Sequence, residues 1–241
     1  MDTRSATIDA LIVSLGDSRK PVIRKAADAL IACLEEFPDL PGKLERLLAD
    51  AGNKNHWALA YVLAHHSHPP ALSIEVLLKD LGNPDPDIRW AVLLLLAKLA
   101  KEHTGIGEKL LDLLQSGNPT QRRMAVYCLR DMREGATFVA LSRALDDPEA
   151  TVRVAAITSL RSQPELGKAT FDQLLRRLAH DPDARVRCSA AAVLGQVGPN
   201  TDDVRDALKD AAESVYPQLR KAARAALTLL EKREPVPGGQ S

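Results

Sequence analysis

The sequence predicts an all-α chain, a right-handed α-solenoid of about seven helical hairpins. Three observations lead there. Leu30, Leu63, Leu96, Leu129, Leu160, Leu194 and Leu227 recur at intervals of 33, 33, 33, 31, 34 and 33 residues. Each closes a segment whose apolar residues fall at helical spacing. A second amphipathic segment precedes each of these, so the repeating unit is a pair of helices.

The second helix of each pair, helix B, is defined by counting from Val152 as position zero. The stretch Val152 to Leu160 superposes in register on Val186 to Leu194 and on Leu219 to Leu227. Ile88 to Leu96 and Gln121 to Leu129 fit the same frame, with weaker copies at Val22 to Leu30 and Asn55 to Leu63. Positions zero, four, seven, eight and eleven share one face of a helix with 3.6 residues per turn. Position four is small in most copies (Ala26, Ala125, Ala156, Ala190, Ala223), which lets neighbouring helices approach closely; Leu59 and Val92 depart from that rule.

Five residues before position zero stand Asp17, Asn83, Asp147, Asp181 and Ser214. These types cap helix N-termini through a side-chain oxygen. Pro84, Pro148 and Pro182 follow them, where proline is tolerated as the first helical residue. The expectation is an N-cap followed by a proline that opens helix B.

Helix A is read from the i, i+3, i+4, i+7 spacing of Ile8, Leu11, Ile12, Leu15; of Ile74, Leu77, Leu78, Leu81; and of Phe171, Leu174, Leu175, Leu178. Leu44, Leu47, Leu48 and Leu110, Leu111, Leu114 carry shorter versions. Phe138, Leu141, Leu145 and Val204, Leu208 complete the series. The whole of 1–233 reads as one solenoid, and the Pro- and Gly-rich stretch 234–241 as a disordered tail.

The segments Asp147-Pro148 to Leu160 and Asp181-Pro182 to Gly195 resemble HEAT-like repeats of the short prokaryotic type, the kind also present in phycobilisome lyases. The resemblance extends over roughly residues 5–232. It implies a ladder in which the turn aspartate of one repeat meets the position-one arginine of its neighbour. Asp147, Asp181, Arg89, Arg122, Arg153, Arg187 and Arg220 match those positions. Repeat one has Ile23 at position one, and repeat two has His56 there and no capping aspartate.

Composition narrows the function. Lysine plus arginine total 32 and aspartate plus glutamate total 32. A net charge of zero removes the usual electrostatic case for nucleic acid or an anionic membrane. No run of apolar residues is long enough to span a bilayer, and Met1-Asp2-Thr3-Arg4 lacks an apolar signal region, so a cytoplasmic protein is expected. Cys33 and Cys128 fall at core positions and Cys188 at an exposed one, without the paired spacing of a disulfide framework or a zinc site.

Positions two, six and nine point away from the buried stripe of helix B. The resemblance puts the B helices on the concave side, so these positions form its inner surface. There lie Trp57, Tyr61 and Ala64; Trp90, Leu94 and Ala97; Arg123, Tyr127 and Arg130; Val154, Thr158 and Arg161; Cys188, Ala192 and Gly195. The chain has only two tryptophans and three tyrosines, and four of these five fall on this stripe in three adjacent repeats. Exposed aromatic residues and arginine dominate binding hot spots. The expected partner-binding residues are therefore Trp57, Tyr61, Trp90, Leu94, Arg123, Tyr127, Arg130 and Arg161, gripping a protein segment. The competing reading has the two indoles filling space between repeats.

Other chemistry is thinner. His56, His65, His66 and His68 cluster in repeat two without a cysteine or carboxylate at ligand spacing, and no metal or cofactor is assigned. HEAT-like iron hydroxylases use His-Glu dipeptides, and this chain contains none. HEAT-like alkylpurine DNA glycosylases use tryptophan, aspartate and arginine in a groove, to which Trp57, Trp90, Arg123, Arg130, Asp28 and Asp131 are similar in kind. Phycobilin lyases suggest tetrapyrrole handling by aromatics and arginines. No Ser/His/Asp triad or glycine-rich phosphate loop is legible. The expected function is a non-enzymatic scaffold or adaptor, with a bilin lyase-like or DNA glycosylase-like protein as the alternative.

Overall fold

The computed structural model describes residues 3–50, 56–132, 135–163 and 166–233. Among them the chain is all-α, with fourteen α-helices and no strand. The proposed tail, 234–241, lies outside the described residues. The chain divides into two compact units, 1–109 and 110–241.

In the first unit α1 (Thr3–Ser14), α3 (Leu40–Ala49) and α5 (Ala71–Asp80) are A helices. Their B partners are α2 (Lys20–Cys33), α4 (His56–Leu63) and α6 (Pro86–Glu102). Helix α4 packs on α2, α3 and α5, and α5 packs on α6. α7 (Thr104–Ser116) runs across the division between the units. In the second unit α9 (Gly135–Arg143), α11 (Lys168–His180) and α13 (Asp202–Ala212) are A helices. The B helices α8 (Pro119–Leu129), α10 (Ala150–Leu160), α12 (Ala184–Val197) and α14 (Pro217–Glu231) pack one on the next.

The register read from sequence is the packing register. Position four is buried in every copy: Ala26, Leu59, Val92, Ala125, Ala156, Ala190 and Ala223. Six of the seven closing leucines are fully enclosed, each worth about 1.5–3 kcal/mol of burial. Leu227 is the exception and is half-buried, with Leu230 enclosed in its place, because α14 has no described B helix beyond it. On α10 burial reaches almost all round the helix beyond its first two residues, since α8 and α12 flank it; from Val152 onward only Val154 and Thr158 are not buried.

The turns correct the expected capping. Helix B begins two residues later than predicted, and the N-caps are Arg19, Asp85, Glu149, Asp183 and Tyr216. Asp17, Asn83, Asp147, Asp181 and Ser214 instead accept a hydrogen bond from the backbone N–H two residues on, at 2.8, 2.9, 2.8, 3.0 and 3.3 Å. These are Asx- and Ser-turns, a competing use of the side chains that also cap helices. Pro84, Pro148 and Pro182 therefore sit inside the turn, ahead of the helix. Repeat four differs: Asn118 makes a reciprocal capping box with Gln121, with Pro119 opening the helix.

The arginine ladder lies on these turns. Arg122 Nε and Nη2 donate to the two carboxylate oxygens of Asp147, each at 2.8 Å. Arg153 grips Asp181 identically. A further N–H of Arg153 donates back to the carbonyls of Asp147 and Pro148, and Arg89 and Arg220 close their own turns in the same way. One guanidinium thus locks its own turn and grips the next. The next repeat offers Ser214 where Asp147 and Asp181 stand, and Arg187 packs over the Tyr216 ring at 4.6 Å instead.

Candidate partner-binding face

The predicted residues fall in two groups, one in each unit. In the first unit Trp57 and Tyr61 stand one turn apart on α4, both half-buried. Trp90 and Leu94 stand one turn apart on α6 and are 51% and 66% exposed. Helix α6 buries Val92, Leu93, Leu95, Leu96 and Leu99, and on its exposed side Trp90 and Leu94 stand between Asp87 and Lys98. Tyr61 leans on the His65 ring, with centroids 4.9 Å apart and planes tilted by 58°. Burial pushes the Tyr61 hydroxyl up, Asp28 adds to that and Arg24 opposes it. That hydroxyl is neutral at physiological pH and keeps a proton to donate.

In the second unit Arg123 and Tyr127 are half-buried on α8, while Arg130 and Arg161 are exposed at the ends of α8 and α10. Arg130 meets its neighbour Asp131 at 3.3 and 3.5 Å, and its carbonyl accepts from Gln163 at 2.8 Å. Arg161 donates to Gln196 Oε1 at 3.0 Å. Between these helix ends lies a recess of about 380 Å³, lined by both arginines and by Thr158, Ser162, Cys188, Ser189, Ala192, Val193 and Gln196.

Positions two, six and nine do mark an exposed stripe, with two corrections. Ala64 is fully buried. Gly195 is buried against α14, where an added Cβ would stand 2.5 Å from Ala226. Ser162 and Gln196, both at position ten, were missed. The signal was available, since position ten is polar in three successive repeats: Asp131, Ser162 and Gln196.

The cysteines differ from expectation in two cases, since Cys188, expected exposed, is half-buried. Cys128 is buried, and burial pushes its thiol up to about 12. Cys33, expected in the core, is half-exposed. Among the described residues no group of three or more His, Cys, Asp or Glu is placed to hold a metal ion. His65 Nδ1 lies 2.8 Å from the Tyr61 carbonyl, and His66 Nδ1 accepts from the His68 N–H. No described helix is long and apolar enough to cross a membrane.

No curated protein matches the sequence. Residues 139–228 match the family model described as HEAT repeats. Among solved structures, the YibA protein of Escherichia coli is 16% identical with a TM-score of 0.56, covering 97% of this chain and 98% of its own. An engineered protein is 20% identical with a TM-score of 0.50, covering 93% and 68%. The CpcE–CpcF phycocyanin lyase complex of Nostoc sp. is 18% identical with a TM-score of 0.41, covering 92% and 94%. At such identities the likenesses to YibA and to the engineered protein speak to fold alone. The chain has an all-α helical-repeat fold of the solenoid class, and its residues 139–228 are similar to HEAT repeats.

Proposed function

We propose that this protein is a non-enzymatic scaffold or adaptor that holds a segment of a partner protein along the exposed stripe of its B helices. One observation carries the reading: Trp90 and Leu94 expose about half and two thirds of their surface, one turn apart on a well-packed helix. A helix that encloses its neighbouring leucines while leaving an indole and a leucine outside is shaped for a partner. Trp57 and Tyr61 extend the apolar contact on α4, and Arg123, Arg130 and Arg161 supply charge for acidic groups. The platform is made of packed helices, so little ordering cost falls on the protein when it binds. A net charge of zero favours a protein segment over nucleic acid.

The test is affinity capture from the native cell extract, with wild type compared with a Trp57→Ala/Trp90→Ala double variant. The expected result is a partner recovered by wild type and lost by the variant, with melting curves that stay cooperative. Recovery of the same proteins by both would overturn the reading.

A further inference from the structure

The recess between α8, α10 and α12 is rich in donors, and no carboxylate lines it among the described residues. Thr158 and Ser189 donate their hydroxyl protons to carbonyls of their own helices, Val154 and Arg185. The donors that face a guest are therefore the two guanidinium groups, the Ser162 hydroxyl and the Gln196 amide. Among the described residues Arg130 is held only by the long, exposed contacts to Asp131, which solvent screens to little value. Arg161 has one N–H committed to Gln196. Each guanidinium carries five N–H donors, so both retain unused capacity.

We propose that this recess binds a glutamate or aspartate side chain of the partner segment. The inference rests on the adaptor reading and names what the arginines of the second unit recognise. The same unit shows the chemistry twice, where Arg122 and Arg153 each hold a carboxylate by two parallel 2.8 Å bonds. Two planar forks with no lysine suit a carboxylate. Ala192, Val193 and Cys188 supply apolar wall for the methylene stem of the guest. Asp131, tethered beside Arg130, acts as a weak internal competitor that the guest displaces.

Fluorescence anisotropy with a labelled tetraglutamate peptide, and a tetraglutamine peptide as control, tests this. Binding of tetraglutamate alone is expected. It should weaken about tenfold in each of Arg130→Gln and Arg161→Gln, and with added salt. Asp131→Asn should tighten it, a sign that general loss of positive charge or of folding cannot produce. Bound peptide should also slow alkylation of Cys188 in a Cys33→Ser protein, which places the guest in this recess. Equal binding of both peptides, indifference to both arginine substitutions, or unchanged Cys188 alkylation would overturn the proposal. So would displacement by inorganic phosphate at concentrations where glutarate fails, which would assign the site to a phosphate. The probe carries no aromatic or aliphatic side chain for Trp57 or Trp90 to hold. Loss of tetraglutamate binding with tryptophan-dependent capture intact would therefore sink this inference alone. Arginine-dependent tetraglutamate binding with tryptophan-independent capture would sink the adaptor reading alone.

Discussion

Arg153 and Asp181 meet fork to fork, both bonds at 2.8 Å, with the aspartate side chain wholly enclosed and the arginine nearly so. Arg177 adds a third contact to the same carboxylate at 3.3 Å. An enclosed charge without its partner is costly, so Asp181→Ala, which strands Arg153, should destabilise the protein by about 3–5 kcal/mol. Chemical denaturation of the variant measures this, and a loss within the range of ordinary surface substitutions would show that solvent reaches the pair.

The same pair sets a pH dependence. Burial pulls the Asp181 carboxyl up, but hydrogen bonds from Arg153, the Asp183 N–H and Arg177 more than offset this and leave it below its ordinary value. A folded value below the unfolded one means the stabilisation is complete above the unfolded pKa, about 4. It is lost as the pH falls from there through the folded value. Stability should therefore be flat at neutral pH and decline in acid, and Asp181→Asn should flatten that decline. An acid limb unchanged in Asp181→Asn would remove Asp181 from the explanation.

Among the described residues the buried Nε of Arg187 has no hydrogen-bond partner, and the guanidinium rests on Tyr216 where Ser214 replaces the turn aspartate. Ser214→Asp should restore the missing rung, since aspartate makes the same turn contact that Ser214 makes to the Tyr216 N–H. The expected gain is about 1–2 kcal/mol, read as a higher Tm that disappears in an Arg187→Gln background. A gain that persists without Arg187 would point to the turn alone.

Gly195 lets α12 and α14 come together where any Cβ would collide with Ala226. Gly195→Ala should cost about 1–3 kcal/mol, although alanine is the better helix former by about 1 kcal/mol. Denaturant unfolding decides the sign; net stabilisation would mean that the two helices separate freely.

Trp90 and Leu94 differ from the ladder residues in their exposure. Trp90→Ala with Leu94→Ala should change stability by no more than about 1 kcal/mol while abolishing partner capture. A loss of several kcal/mol would identify Trp90 as packing between repeats.

Much of this architecture was legible because it is written in local periodicity. Leucines thirty-odd residues apart with apolar residues at helical spacing locate the hairpins, and position four proved buried in every copy. The turns were placed two residues off because one residue type serves two geometries. Asp147 can cap a helix or close an Asx-turn, and the demand of Arg122 for an accessible carboxylate accompanies the second. Gly195 and Ala64 looked exposed from their phase, yet neighbouring helices cover them.

The amino-acid order by itself determined the repeat, through leucines thirty-odd residues apart, and the helix faces on which Trp90, Leu94, Arg130 and Arg161 stand, through spacing within one or two turns. Tertiary structure decided what that spacing cannot encode. It set which arginine grips an enclosed aspartate and which retains unused donors, which leucine at the end of the stack stays half-open, and where α8, α10 and α12 leave a recess. Those outcomes depend on how closely separate helices approach, and that distance is set by side chains far apart in sequence.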